Sequence, residues 1–265
     1  MGDTMADKNY LHTAYANSAD GTDGFTTVYP NLNLLDGTKD FSGNWQNTTP
    51  WYKNGNYEGL TVMSFNTGDN IGIIKPFNIP SDGIYSMSML VKVKTDSIGQ
   101  FIIEATGKPA IIIDVTDTGG KFVTQSYTGT FTTGQTVSMY FRFKSSEMVI
   151  KDGLSVAGHK IESGSTTTPY MPSSSEATTA DWPKYVGTYV DTNPVSSTEP
   201  SKYDWDEMKY RVYLDGVPVG GSKLLSFDLE NLTSGTSYNV QVNQINGNDE
   251  SDKSESIAFK TTLTK

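Results

Sequence analysis

The sequence predicts an all-β protein whose larger part is a strand-rich sandwich, with a shorter β-module after it. Three observations carry that prediction. Apolar and polar residues alternate strictly over several stretches, Gly- and Asx-containing turns recur between them, and no stretch shows a capped helical period. Gly, Ser, Thr and Asn are abundant, as a turn-rich β-protein requires, and 15 Tyr with 11 Phe supply bulk for packed cores. At 265 residues the chain has room for two domains, or for one large β-domain with appendages.

In chain order, residues 1–29 are polar and carry the turn signals Asp20-Gly21 and Asp23-Gly24. With too little apolar content to fold alone, this stretch is expected to be an arm that docks on a neighbour or a partly disordered lead-in. Residues 30–172 form the sandwich. Tyr85, Met87, Met89, Val91 and Val93 alternate with Ser86, Ser88, Lys92 and Lys94, and Val137, Met139, Phe141 and Phe143 alternate with Ser138, Arg142 and Lys144. Both patterns describe strands with one buried face. Phe101–Ile103 and Ile111–Ile113 are continuous apolar runs, expected to be strands covered on both faces. Turns at Asp82-Gly83, Gly107-Lys108-Pro109, Gly119-Gly120, Gly134 and Asp152-Gly153 separate the strands. Residues 173–206 are rich in Pro, Ser and Thr and predict an irregular joint, with Trp182, Tyr185 and Tyr189 packing on a flanking module. In 207–265, KYRVYLDGVPVGG is a strand, an Asp-Gly turn and a return strand.

Charge and composition exclude several classes of function. The formal charge is −10 and only Arg142 and Arg211 are arginines, so neither nucleic acid nor an anionic membrane is an expected partner. There is no cysteine, which removes disulfides, thiolate metal sites and cysteine nucleophiles, and suits assembly in a reducing cytosol. No apolar run approaches the ~20 residues of a membrane span. The opening MGDTMADKNYLH has neither the basic nor the apolar region of an export signal.

Catalytic chemistry finds little support. Only His12 and His159 are histidines, and HExxH, GxSxG and phosphate-loop motifs are missing. His159 is expected to be a satisfied surface or edge histidine. Glu58, Glu104, Asp114, Glu147 and Glu162 offer carboxylates, but no spacing singles out a glycosidase pair. Asp114 interrupts IIIDV and predicts a strand end or a place near an ion. The stretch WQNTTPWYKNGNY is more telling, because it sets Trp45, Trp51, Tyr52 and Tyr57 among amides and a lysine. Sugar recognition uses that mix: a ring face stacks on the apolar face of a pyranose while amides read its hydroxyls. These four are therefore the candidate carbohydrate-binding residues. The alternative is that one or two of them anchor the core.

Three phrases place the chain in a context. IESGSTTTPYMP resembles the final strand and exit loop of the carbohydrate-binding jelly rolls in phage tail and baseplate proteins. WPKYVGTYVDTNPVSSTEPSKYDW and YLHTAYANSADGTDGFTTVYPNLNLL, the latter over 10–35, resemble segments of the same proteins. The chain is similar to accessory baseplate or tail-tip proteins of lactococcal-type siphophages. The resemblance implies a galactose-binding-like jelly roll, with Tyr127 and Arg142 as further members of a sugar site. A structural calcium with oxygen ligands is common in such jelly rolls and is admitted here without named ligands. No other cofactor is expected. NLTSGTSYNVQVNQINGNDES resembles a fibronectin type III motif, in which Tyr238 after Leu232 would make the tyrosine corner. That module is too short for seven strands, so its first strands come from 184–206, with Trp205 as the core Trp, or it is truncated. The implied function is non-catalytic: a virion protein of the tail or baseplate, assembled in the host cytoplasm. Its partners would be host cell-wall saccharide and other baseplate proteins. A purely structural connector and the accessory modules of a polysaccharide-degrading enzyme are the alternatives.

Overall fold

Residues 8–262 are described in a computed structural model, and nearly all their regular structure is strand. In chain order the strands are β1 Tyr10–Ala16, β2 Phe25–Thr26, β3 Trp51–Tyr57, β4 Leu60–Phe65, β5 Phe77–Asn78 and β6 Gly83–Val93. Then come β7 Gly99–Ala105, β8 Ile111–Val115, β9 Val123–Phe131, β10 Thr136–Phe143, β11 Leu154–Ser163 and β12 Tyr185–Asp191. The last are β13 Asp204–Glu207, β14 Tyr210–Leu214, β15 Val217–Ser222, β16 Ser237–Asn246, β17 Asp249–Glu250 and β18 Ile257–Lys260. The chain divides into a larger unit, Leu32–Ala177, and a smaller one made of Met1–Asn31 with Thr178–Lys265.

The larger unit is a sandwich of two sheets, ordered β3-β4-β11-β6-β9 and β5-β10-β7-β8. The eight strands β4–β11 pair in the jelly-roll order, each sheet taking strands alternately from the two halves of the run, and β3 extends one edge. The two alternating patterns face each other across the core. Met87, Met89, Val91 and Val93 of β6 and Val137, Met139, Phe141 and Phe143 of β10 are all buried, with Phe65, Phe101, Leu154, Val156 and Ile161. Each such side chain contributes about 1.5–3 kcal/mol relative to exposure, so a one-residue slip in register would forfeit a whole face. Phe101, Ile102 and Ile103 are buried together, as a doubly covered strand should be. Ile111–Ile113 differs from expectation: Ile112 is 52% exposed, because β8 is the sheet edge and one of its faces is open.

On the face of the five-stranded sheet away from that core, β11 carries a bulge between Ala157 and Lys160, with Gly158 at φ +56°. The bulge turns Lys160 and Glu162 onto the outer face, where both are buried. Lys160 Nζ donates to Thr168 Oγ1 (2.6 Å) and to Pro169 O (2.7 Å), and lies 3.3 Å from Glu162 Oε2. Thr168 donates its N–H and its hydroxyl back to the Glu162 carboxylate, at 2.8 and 2.6 Å. Burial lowers the Lys160 pKa to about 8, with Glu162 opposing the shift. This clasp holds the return segment against the sheet.

The smaller unit corrects the expected division into arm, joint and module. Residues 10–16 are an inner strand of a sheet ordered β13-β12-β1-β2, paired with β12 from Tyr10↔Asp191 to Ala16↔Tyr185. The joint thus supplies two strands, β12 and β13. The arm buries Ala14, Tyr15 and Ala16 by borrowing neighbours from the far end of the chain, an option that local apolar content does not reveal. Trp182 stacks on Tyr29 at 5.7 Å and lies under the Arg211 guanidinium, which pairs with Glu250 at 2.7 Å. In 207–262 one sheet forms, β15-β14-β16-β17 with β18 on β16, while β12 and β13, from 184–206, belong to the other sheet of the smaller unit, β13-β12-β1-β2. The Asp215-Gly216 turn joins β14 and β15 with both residues at positive φ, and the Tyr238 hydroxyl accepts the Thr233 N–H at 2.9 Å.

Candidate functional site

The aromatic run 45–57 is pulled apart by the fold. Trp51 opens β3 with its side chain turned inward: it is 5% exposed, meets Phe65 edge-on and donates its indole N–H to Ile71 O at 2.8 Å. It is a core anchor with no free ring face, as the alternative above held for one or two of the four. Trp45 is half-buried in the preceding loop, between Phe41 and His159, with the Lys75 ammonium 5.6 Å from its ring and its N–H on Gly37 O and Ser42 O.

Tyr52 and Tyr57 are half-exposed and belong to the outer face of the five-stranded sheet. Alternation along β3 sends Tyr52 out as it sends Trp51 in. The Tyr52 hydroxyl donates to the Asp152 carboxylate, which raises its pKa, and the Lys151 ammonium lies 5.7 Å from its ring. Tyr57, at the tip of the β3–β4 hairpin, packs on Phe122 at 4.6 Å, and Lys92 Nζ stands 5.0 Å over the Phe122 ring. Leu60, Val62 and Ala157 form a small buried cluster beneath, on which Tyr57, Leu90, Phe122 and Tyr170 rest. Gly158 is required here, because a Cβ would come within 2.9 Å of Leu60 and 3.3 Å of Tyr170. Between the aromatic groups the floor is polar: Ser64 and Ser155 share a hydrogen bond of 2.8 Å, and exposed Asn54 donates to Ser64.

Phe122 and Tyr170 escaped the sequence reading, because each is a lone ring among Thr, Gly and Pro with no periodic partner. Of the two further candidates, Tyr127 on β9 packs against the main core and Arg142 lies on the other sheet. His159 is not a surface residue. It is 1% exposed, neither ring nitrogen has a partner among the described residues, and burial lowers its pKa to about 3. The bulge at Gly158 carries it inward beneath Phe41 and Trp45. Asp114 sits within β8 and accepts from Lys144 and Gln100. Among the described residues no three His, Asp or Glu side chains stand together as metal ligands.

Fold and face together define a modular jelly-roll protein whose outer sheet presents aromatic and polar groups. Comparison with solved structures makes the class particular. The chain is 47% identical to a chain of the tripod (BppUct-A-L) from the baseplate of bacteriophage Tuc2009, covering 98% of this chain and 100% of that one, with a TM-score of 0.73. It belongs to that family of phage baseplate proteins. A family model described as the C-terminal domain of minor structural protein 5-like proteins (BppU-like) matches residues 183–241. More distant likenesses include a carbohydrate-binding module of Cellvibrio mixtus lichenase 5A in complex with cellotriose, at 17% identity, covering 52% of this chain and 99% of that one, with a TM-score of 0.33. At that distance the likeness does not bear on what this chain binds. Curated protein sequences give no match.

Proposed function

We propose that the larger unit is a non-catalytic adhesion module that binds host cell-wall saccharide within the virion baseplate. The observation that carries this reading is the outer face of the five-stranded sheet. There Tyr52, Tyr57, Phe122 and Tyr170 stand half-exposed around Asn54 and Lys92, in a chain of the baseplate family. Rings supply stacking surfaces, while the amide and ammonium supply hydrogen bonds to hydroxyls. Tyr52 and Tyr57 are the members of the original four that this face uses, and Trp45 lies outside it. Single contacts of this kind are weak, on the order of 0.1–1 mM, and many copies on one virion convert them into firm attachment. The other partners are further baseplate proteins, and the working location is the tail of the virion. Neither nucleic acid nor membrane insertion has a part in the reading.

The test is sedimentation of the purified full chain with isolated cell walls of Gram-positive hosts, lactococcal ones first. Tyr52→Ala and Phe122→Ala are expected to reduce the bound fraction severalfold with an unchanged denaturation midpoint. Wall binding equal to the parent in both variants would remove this face from consideration. Trp51→Ala is unsuited to the purpose, since emptying that core position costs about 3–5 kcal/mol.

A further inference from the structure

Tyr52, Lys92 and Phe122 lie along one register row that crosses four strands and ends on Phe122, the residue before β9. Tyr52 pairs with Ser64, Ser64 with Ser155, and Ser155 with Lys92. Phe122 stands beside Lys92, one position beyond the Val91↔Val123 pair. Tyr52 stands on β3 at one edge of the sheet and Phe122, just before β9, at the other, and the face curves between them, since Tyr57 of β3 packs on Phe122 at 4.6 Å. The row's two ends are aromatic and each lies near a lysine ammonium, Lys151 at the Tyr52 end and Lys92 at the Phe122 end. Its middle is polar, with Asn54 standing on the buried Ser64–Ser155 pair. One pyranose covers one ring face, so a single sugar cannot engage both aromatic ends. A chain of sugars lying across the strands can, and it places its hydroxyls over the polar middle.

From this geometry we infer that the row binds an internal stretch of a glycan, several sugar units long and laid across the strands, rather than a single terminal sugar. The inference rests on the saccharide reading above. It also assigns roles: Tyr52 and Phe122 are separate end subsites, and Asn54 reads hydroxyls between them. The buried serines position Asn54 without touching the glycan.

The experiment uses cell-wall polysaccharide partially hydrolysed and sorted by chain length. Each fraction, down to the constituent monosaccharides, competes with intact walls for the purified full chain. Inhibition is expected to strengthen by roughly tenfold or more from monosaccharide to short oligosaccharide, then to level off. Tyr52→Ala and Phe122→Ala, each with a parental denaturation midpoint, should each flatten that rise with chain length. A monosaccharide that competes as well as the longest fragments would overturn the inference and leave the saccharide reading standing. So would inhibition by no fragment while walls remain bound. Failure of the parent chain to bind walls at all would instead overturn the saccharide reading, and the inference with it.

Discussion

Lys160→Met tests whether the buried clasp holds the larger unit together. The Lys160 and Glu162 side chains are each 1% exposed, so neither charge has water to fall back on. Removing the ammonium deletes its bonds to Thr168 Oγ1 and Pro169 O, and strands the Glu162 carboxylate with only the two Thr168 donors. Breaking one partner of a buried pair costs about 3–5 kcal/mol. With a urea dependence of about 2 kcal/mol/M, the midpoint of the larger unit should fall by roughly 1.5–2.5 M. Met matches the aliphatic stem, so little of the loss is cavity. The paired variant Lys160→Met with Glu162→Gln removes the stranded charge but keeps an acceptor for the Thr168 N–H, and should recover about half of the loss. Urea denaturation of the full chain, following the transition of the larger unit, measures both. A loss under about 1 kcal/mol for the single variant would refute the reasoning, since it would mean the ammonium is not desolvated. A double variant no better than the single one would show that the stranded carboxylate is not the cause.

Two further outcomes are expected. Below its ordinary pKa of 6.5, His159 is protonated in the unfolded chain but stays neutral when folded down to about pH 3, so stability is lost as pH falls through that window. His159→Asn should remove that part of the acid slope in pH-dependent denaturation, and an unchanged slope would show that the ring is reached by water. A 182–265 fragment should show no cooperative unfolding by circular dichroism, because it lacks β1, the partner of β12 along seven residues. A sharp transition in that fragment would show that the borrowed strand is dispensable.

How much of this was legible in the chain depended on how local the cause was. Strands β6 and β10 were plain in the alternation of Tyr85–Val93 and Val137–Phe143, since a half-buried strand writes its own two-residue period. The β14–β15 hairpin was equally plain from Asp215-Gly216, because only a few residue types accept positive φ in sequence. The aromatic run 45–57 named four rings without sorting them by face. Adjacent residues of a strand face opposite ways, so Trp51 and Tyr52 differ in fate though they are neighbours. What only the tertiary structure decided involves partners distant in sequence. β1 is a strand because β12 lies beside it, and Phe122 meets Tyr57 because the jelly roll brings β9 and the β3–β4 hairpin to one face. Lys160 and Glu162 are buried because one bulge turned them under the return segment. By itself the sequence determined the class of fold, through periodicity and turns. Which side chains share an outer face was decided by long-range pairing, whose favourable contacts appear only after the chain has closed on itself.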